Sequence, residues 1–154
     1  MSIKPTTAEP GTLYVVATPI GNRDDITLRA LNILREVDLI AAEDTRKTRR
    51  FLALHAIKSS LISYHEHNEA ERTPKLVAKL KKGISIALVS NAGTPTVSDP
   101  GYRLITATLA GKLEVMPIPG VSAATAALGR RTRMTPKEEP RNCGASSSRR
   151  NQGN

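Results

Sequence analysis

The sequence predicts an α/β fold: a five-stranded, mainly parallel sheet with helices on both faces. Three observations carry that expectation. Five short apolar runs begin near Thr12, Val37, Leu61, Ile84 and Leu113, far enough apart for a helical crossover between each pair. The runs Leu13-Tyr14-Val15-Val16-Ala17 and Ile84-Ser85-Ile86-Ala87-Leu88-Val89 are almost continuously apolar rather than alternating, as strands buried on both faces are. The segments between them carry apolar residues at helical spacing and end near glycine, as at Gly83 and Gly111.

Taken in order, Met1 to Gly11 is polar with two prolines and reads as a flexible leader without an apolar signal core. Thr12 to Ala17 is the first strand, and Thr18-Pro19-Ile20-Gly21-Asn22-Arg23 turns after it. Asp24 or Asp25 can cap a helix from about Ile26 to Glu36, with Leu28, Leu31, Ile33 and Leu34 on its apolar face. Val37 to Ala42 is the second strand. Glu43-Asp44-Thr45-Arg46 opens a helix to about His55 through Phe51, Leu52 and Leu54. Leu61 to Tyr64 is the third strand, followed by a loop from His65 to Glu69. The next helix ends at Lys82, and either Thr73-Pro74 or Asn68 can start it. Ile84 to Val89 is the fourth strand. Asp99 as N-cap and Pro100 as first residue start a helix to Ala110, with Leu104, Ile105 and Leu109 inward. Leu113 to Met116 is the fifth strand, and Pro117 to Gly120 turns into a helix from Val121 to Leu128.

Composition narrows the function. The chain has 154 residues, enough for one domain with a real core, and a formal charge of +9. Six Arg, one Lys and two Glu lie in 129–154, which leaves Met1 to Leu128 at only +4. That mild balance permits a nucleic-acid partner without requiring one. Tyr14, Phe51, Tyr64 and Tyr102 are the only aromatic residues, too few for a base-stacking platform. The single Cys143 precludes a disulfide within the chain and fits a reducing cytoplasm. No apolar run approaches membrane-spanning length. Gly129 to Asn154 has no Leu, Ile, Val or aromatic residue and is expected to be a disordered Arg/Ser-rich tail. It can also be read as a basic RNA-binding arm.

The chemistry concentrates in three turns, after strands one, four and five. In a parallel sheet they share the carboxyl edge, where small ligands bind. The strongest is Ser90-Asn91-Ala92-Gly93-Thr94-Pro95, and the plainer alternative is that it only turns a corner. No G-x-G-x-x-G follows strand one and no G-x-x-x-x-G-K-[ST] occurs, so dinucleotide and P-loop sites are disfavoured. Glu43 and Asp44 reach the same edge, either as a substrate-orienting base or as a helix cap. His65 and His67 lack a third ligand nearby and read as a solvated loop.

These residues, in this order, resemble a known family. Thr18-Pro19-Ile20-Gly21-Asn22, Ala42-Glu43-Asp44-Thr45-Arg46, His67-Asn68-Glu69, Ser90 to Pro95, Ser98-Asp99-Pro100-Gly101 and Pro119-Gly120 are similar to segments of the small-subunit ribosomal RNA 2′-O-ribose cytidine methyltransferases I, within the tetrapyrrole (corrin/porphyrin) methylase superfamily. The resemblance covers about Gly11 to Leu128. It implies S-adenosylmethionine as cofactor, small-subunit ribosomal RNA as substrate, a homodimer, no membrane, no metal, and strand order 3-2-4-1-5. It also implies Pro19, Gly21, Asn22, Ser90, Asn91, Ala92, Gly93, Thr94, Pro119 and Gly120 as cofactor-loop residues, with Glu43, Asp44 and Arg46 as substrate-side candidates and no assigned general base. Two departures stand out. Asn91 occupies a position where the family usually has Asp. The similarity is expected to end near Leu128, where the family continues into a second domain; a chain truncated there is expected to have impaired activity. The other readings are methylation of a tetrapyrrole or other small molecule, and a non-catalytic RNA-binding fragment.

Overall fold

A computed structural model of the chain describes residues 7–95 and 100–131. Five strands and five helices alternate: β1 Leu13–Val16, α1 Leu28–Glu36, β2 Leu39–Ala42, α2 Thr45–Leu54, β3 Leu61–Ser63, α3 Glu69–Lys81, β4 Ile86–Val89, α4 Gly101–Ala110, β5 Val115–Ile118 and α5 Ala123–Arg131. All strands pair in parallel, in the order β3-β2-β4-β1-β5. The fold class and the strand order are those expected. β1 lies between β4 and β5, with Val16 opposite both Val89 and Ile118.

The continuous apolar runs are explained by two cores, one on each face. Tyr14, Val16, Ile40, Ala87 and Val89 point to one face and meet Leu31, Ile33 and Leu34 of α1 and Leu52 of α2. Leu13, Ala41, Ile86 and Leu88 point to the other and meet Leu76 and Leu80 of α3 and Leu104 of α4. Each such Leu or Ile removed from water contributes about 1.5–3 kcal/mol before the entropy of ordering is subtracted.

Several element boundaries differ from expectation for local reasons. Asp24 and Asp25 do not cap α1. The Asn22 side chain accepts from Asp24 N and its carbonyl accepts from Asp25 N, which folds 22–25 into a turn. Thr27 is the N-cap, its hydroxyl accepting from Ala30 N. Leu28 therefore sits in the first turn, overhanging the core, and is 80% exposed. In α2, Leu52 is buried while Leu54 is exposed. In α4 the inward row is Gly101, Leu104 and Thr108, so Leu109, about 100° further round, is exposed. Thr108 is tolerated inside because its hydroxyl donates to Leu104 O. Pro100 is the N-cap of α4 rather than its first residue, and Asp99 lies outside the described residues, as do Thr96, Val97 and Ser98.

α3 starts after Asn68, with Pro74 inside the helix. The Asn68 side chain does not cap α3. It bonds back to His65 N and Ser63 O. β5 runs to Ile118 through Pro117, which an edge strand can hold because its missing N–H faces no neighbour. The expected turn therefore shortens to Pro119-Gly120. The end of the leader is tied down: Ala8 N donates to Glu36 Oε2 and Glu9 N to the Tyr14 hydroxyl. Helix α5 runs from Ala123, two residues later than expected, to Arg131, beyond Leu128. The rest of the expected tail, 132–154, and Met1 to Thr6 lie outside the described residues.

Candidate functional site

The carboxyl ends of β1 and β4 lie side by side, and their loops are laced together. Thr18 and Gly93 form an antiparallel bridge in an otherwise parallel sheet, with Thr18 N to Gly93 O at 2.9 Å and Gly93 N to Thr18 O at 3.0 Å. The buried Thr18 hydroxyl also lies 3.2 Å from Ser90 O and from Gly93 O. Ser90 Oγ lies 3.3 Å from Ala92 O and from Gly93 O. Gly93 takes φ +79°, a left-handed conformation that favours glycine. Glycine at 120 answers a different need. A Cβ there would stand 2.7 Å from the Cβ of Ala17, so only glycine lets the β5 loop lie against the end of β1.

The third strand to reach this edge, β2, contributes Glu43 and Asp44. Glu43 Oε2 accepts from Asn91 N at 2.9 Å, while Glu43 N donates to Val89 O. Glu43 thus ties the β2 end to the β4 loop. Asp44 caps α2, its Oδ1 accepting from Arg46 N and Lys47 N. The Lys47 N–H is the largest influence holding the Asp44 carboxyl below its ordinary value, with the Arg46 N–H and the Lys47 and Arg46 charges adding to it. A carboxylate held low is a weaker base. Asp44 is the N-cap of α2, as one of its two expected readings had it.

Two hollows flank the β1 loop. The first is a cleft of about 190 Å³ between the β1 and β4 loops and α2. Thr18, Pro19, Gly21, Ser90 and Asn91 line its loop side. Leu34, Phe51 and Leu52 form an apolar wall, and Arg23, Lys47 and Thr48 stand around it. Gly21 has open space where a Cβ would be. The second, about 360 Å³, lies between Ile20, Asp25, Gly120, Ser122 and Thr125. Of the residues expected to hold a cofactor, Pro19, Gly21, Ser90 and Asn91 meet in the first hollow and Gly120 lines the second. Asn22, Ala92, Gly93, Thr94 and Pro119 line neither. Gly93 is buried as part of the bridge, and Asn22 supports the turn before α1. Arg46 is exposed and does not line the cleft. Lys47, Thr48 and Phe51 were not anticipated; a helix following a carboxyl-edge loop turns its first two turns to the same cleft, and that spacing was the available signal.

His65 is not simply solvated. It is half-buried, its Nε2 3.1 Å from Asn68 Nδ2, and it stacks edge-on with His67 at 5.8 Å. Among the described residues no group of three or more His, Cys, Asp or Glu could hold a metal ion, and no helix is long and apolar enough to cross a membrane.

The parallel order, with a cleft between two adjacent strand ends, defines a doubly wound α/β domain, a class in which ligands bind at the switch point of the sheet. The profile of the Tetrapyrrole (Corrin/Porphyrin) Methylases matches residues 12–133, and the chain belongs to that family. Among curated proteins it is similar to the ribosomal RNA small subunit methyltransferase I of Synechocystis sp., at 56% identity over 118 residues. That match takes in 77% of this chain and 42% of the relative. The proteins of the same name from Micromonospora olivasterospora and Escherichia coli O157:H7 are 51% and 52% identical, over 79% and 77% of this chain. The chain spans 39–42% of the length of these relatives. Among solved structures, uroporphyrin-III-C-methyltransferase from Thermus thermophilus aligns with a TM-score of 0.60 at 24% identity, over 78% of this chain and 51% of the other. A conserved hypothetical protein from Aeropyrum pernix K1 aligns at 0.65 and 24%, over 80% and 44%. These two show the fold.

Proposed function

We propose that this chain supplies the cofactor-side domain of an S-adenosylmethionine-dependent enzyme that methylates the 2′-oxygen of a cytidine ribose in small-subunit ribosomal RNA. The reading rests on curated relatives above 50% identity that carry the ribosomal RNA methyltransferase name. The observation that carries it to particular residues is the lacing of the β1 and β4 loops around one cleft.

The cleft residues fit the cofactor. Phe51, Leu34 and Leu52 offer an apolar wall for a purine, and Ser90, Asn91 and Thr48 offer polar edges. Lys47 and Arg23 suit a carboxylate. Pro19 and Gly21 let the backbone come close, with Asn22, Ala92, Gly93, Thr94, Pro119 and Gly120 shaping the loops. When bound, the cofactor supplies an electrophilic methyl on a sulfonium. The protein must align the ribose oxygen in line with it and let the hydroxyl proton leave. Glu43 and Asp44 hold the loop and the helix, and Arg46 faces the substrate side. In full length the enzyme acts as a cytoplasmic homodimer.

Calorimetric titration of the chain with S-adenosylmethionine, beside Asn91→Asp, tests this. Saturable binding, tightened by an added carboxylate whose charge would complement the cationic cofactor, is the expected result. Absence of binding by both variants, from protein folded by circular dichroism, overturns it. Label transferred to a porphyrinoid but not to small subunits would overturn the substrate and keep the cofactor.

A further inference from the structure

We propose that the outer face of α2 is the track on which this domain holds the RNA backbone, leading from the cleft to an apolar groove on the far side of the helix; this rests on the RNA reading above. Helix α2 carries Arg46, Lys47, Arg49 and Arg50 within its first six residues, all exposed. Among the described residues none of the four forms an ion pair. The first turn of α2 holds no acidic residue; Glu43 and the Asp44 cap stand before it, Glu43 occupied with Asn91 N and Asp44 with the first N–H groups of the helix. Cations are disfavoured at this end of a helix, because the aligned peptide dipoles make it positive. Helix α3 follows the favourable arrangement, with Glu69 and Glu71 in its first turn and Lys79 and Lys81 in its last. Asp44 partly offsets Arg46 and Lys47, but Arg49 and Arg50 have no acidic partner among the described residues, and an external polyanion would supply one.

Position gives the track its direction. Lys47 lines the proposed cofactor cleft. Leu52, buried in the same helix, lines that cleft and also a second groove of about 470 Å³ between α2 and β3. The groove has an apolar floor of Leu52, Ala53, Ile57 and Leu61, with Arg49 and Lys58 at its rim. An apolar slot flanked by two cations matches a nucleobase and its phosphates. The ten-residue helix is about 15 Å long, enough for several phosphates of one strand. An acidic peptide is the less suitable occupant, because the groove offers it no use for a flat apolar floor beside the cations.

The experiment measures binding of a fluorescent single-stranded RNA to the full chain across a range of salt concentrations. Three proteins are compared: the parent, the triple variant Arg46→Gln, Arg49→Gln and Arg50→Gln, and a control, Lys79→Gln, Lys81→Gln and Lys82→Gln. The control removes the same charge from exposed residues at the opposite sheet edge. The arginines beyond α5 are common to all three and cancel in the differences. The α2 triple variant is expected to lose at least tenfold in affinity and to lower the slope of log affinity against log salt by about 2, at about 0.7 per phosphate. The control is expected to change the slope far less. Ala53→Phe, which fills the groove, is expected to weaken binding severalfold with the slope unchanged. Equal slopes for the parent and the α2 variant, equal losses in variant and control, or no binding by the parent would each overturn the track. Unchanged affinity in Ala53→Phe would overturn the groove. S-adenosylmethionine titration of the same proteins reads the cofactor reading separately: it is expected to be unchanged, and its failure in the parent sinks that reading and not the track.

Discussion

The two ends of the sheet use similar parts for different purposes. At the amino end, Asp38 and Ser85 close a ring of hydrogen bonds between the approaches to β2 and β4. Ser85 N and Oγ donate to Asp38 Oδ2 at 2.8 and 2.7 Å, and Asp38 N donates back to Ser85 Oγ. Gly11 and Gly83 turn there at φ +70° and +89°, and a Cβ on Gly11 would stand 3.0 Å from Leu80 O. At the carboxyl end the loops are also tied, but around open space. Gly21 meets nothing, Ser90 is buried in bonds to its own loop, and Asn91 is exposed beside the cleft. One end closes the fold and the other leaves backbone and side chains available to a ligand, so equivalent substitutions should separate stability from binding.

The largest effect is expected at the closed end. Gly11→Val combines left-handed strain with crowding against Leu80 O, and should cost about 2–4 kcal/mol in urea denaturation. The folded fraction should keep its S-adenosylmethionine affinity; a parallel fall in affinity would break the contrast. Gly93→Ala has room for the methyl, 3.5 Å from Ile20 Cγ2, so only backbone strain of about 1–2 kcal/mol is expected. Its affinity should nevertheless drop tenfold or more by calorimetry, because the Thr18 bridge must shift. Glu43→Ala removes the acceptor for Asn91 N and should change stability by under about 1 kcal/mol while weakening binding about threefold to tenfold.

The smallest effect is a pH dependence. The bonds from Ser85, side chain first and backbone next, hold the Asp38 carboxyl below its ordinary value. The folded state therefore favours the ionised form. That contribution is fully present above the unfolded value of about 3.9 and fades as pH falls through the lower folded value. Asp38 is exposed, so screening limits the gain to a few tenths of a kcal/mol. Denaturation of the parent and Asp38→Asn at pH 6 and pH 3 should show a gap that narrows at the lower pH; a constant gap would deny the ionised clasp.

What was legible in the sequence followed from burial. Strands covered on both faces must be apolar throughout, so β1 and β4 stood out, and their spacing required crossovers. Helix starts were less legible because capping is a local competition. Asp24 and Asp25 look like caps, but Asn22 captures that stretch in a turn and leaves the role to Thr27. Leu109 looked inward because it is apolar, whereas Thr108 satisfies its hydroxyl on its own helix and takes the place. At the site, the glycine and proline loops were visible as turns. The wall formed by Lys47, Thr48 and Phe51 was not, since their neighbours across the cleft, Ser90 and Asn91, are 39 to 44 positions away. Glu43 was seen as a chemical group, but its partner is a backbone N–H that no sequence pattern marks.

The bond from the Thr18 hydroxyl to Ser90 O joins residues 72 apart, and the bridge to Gly93 joins residues 75 apart. Such closures form only after the intervening chain has laid down β2, β3 and β4. The mouth of the cleft is thus expected to close late in folding, after the rate-limiting step. A small molecule that recognises it will lengthen the lifetime of the native state by slowing unfolding, and will leave the refolding rate almost untouched.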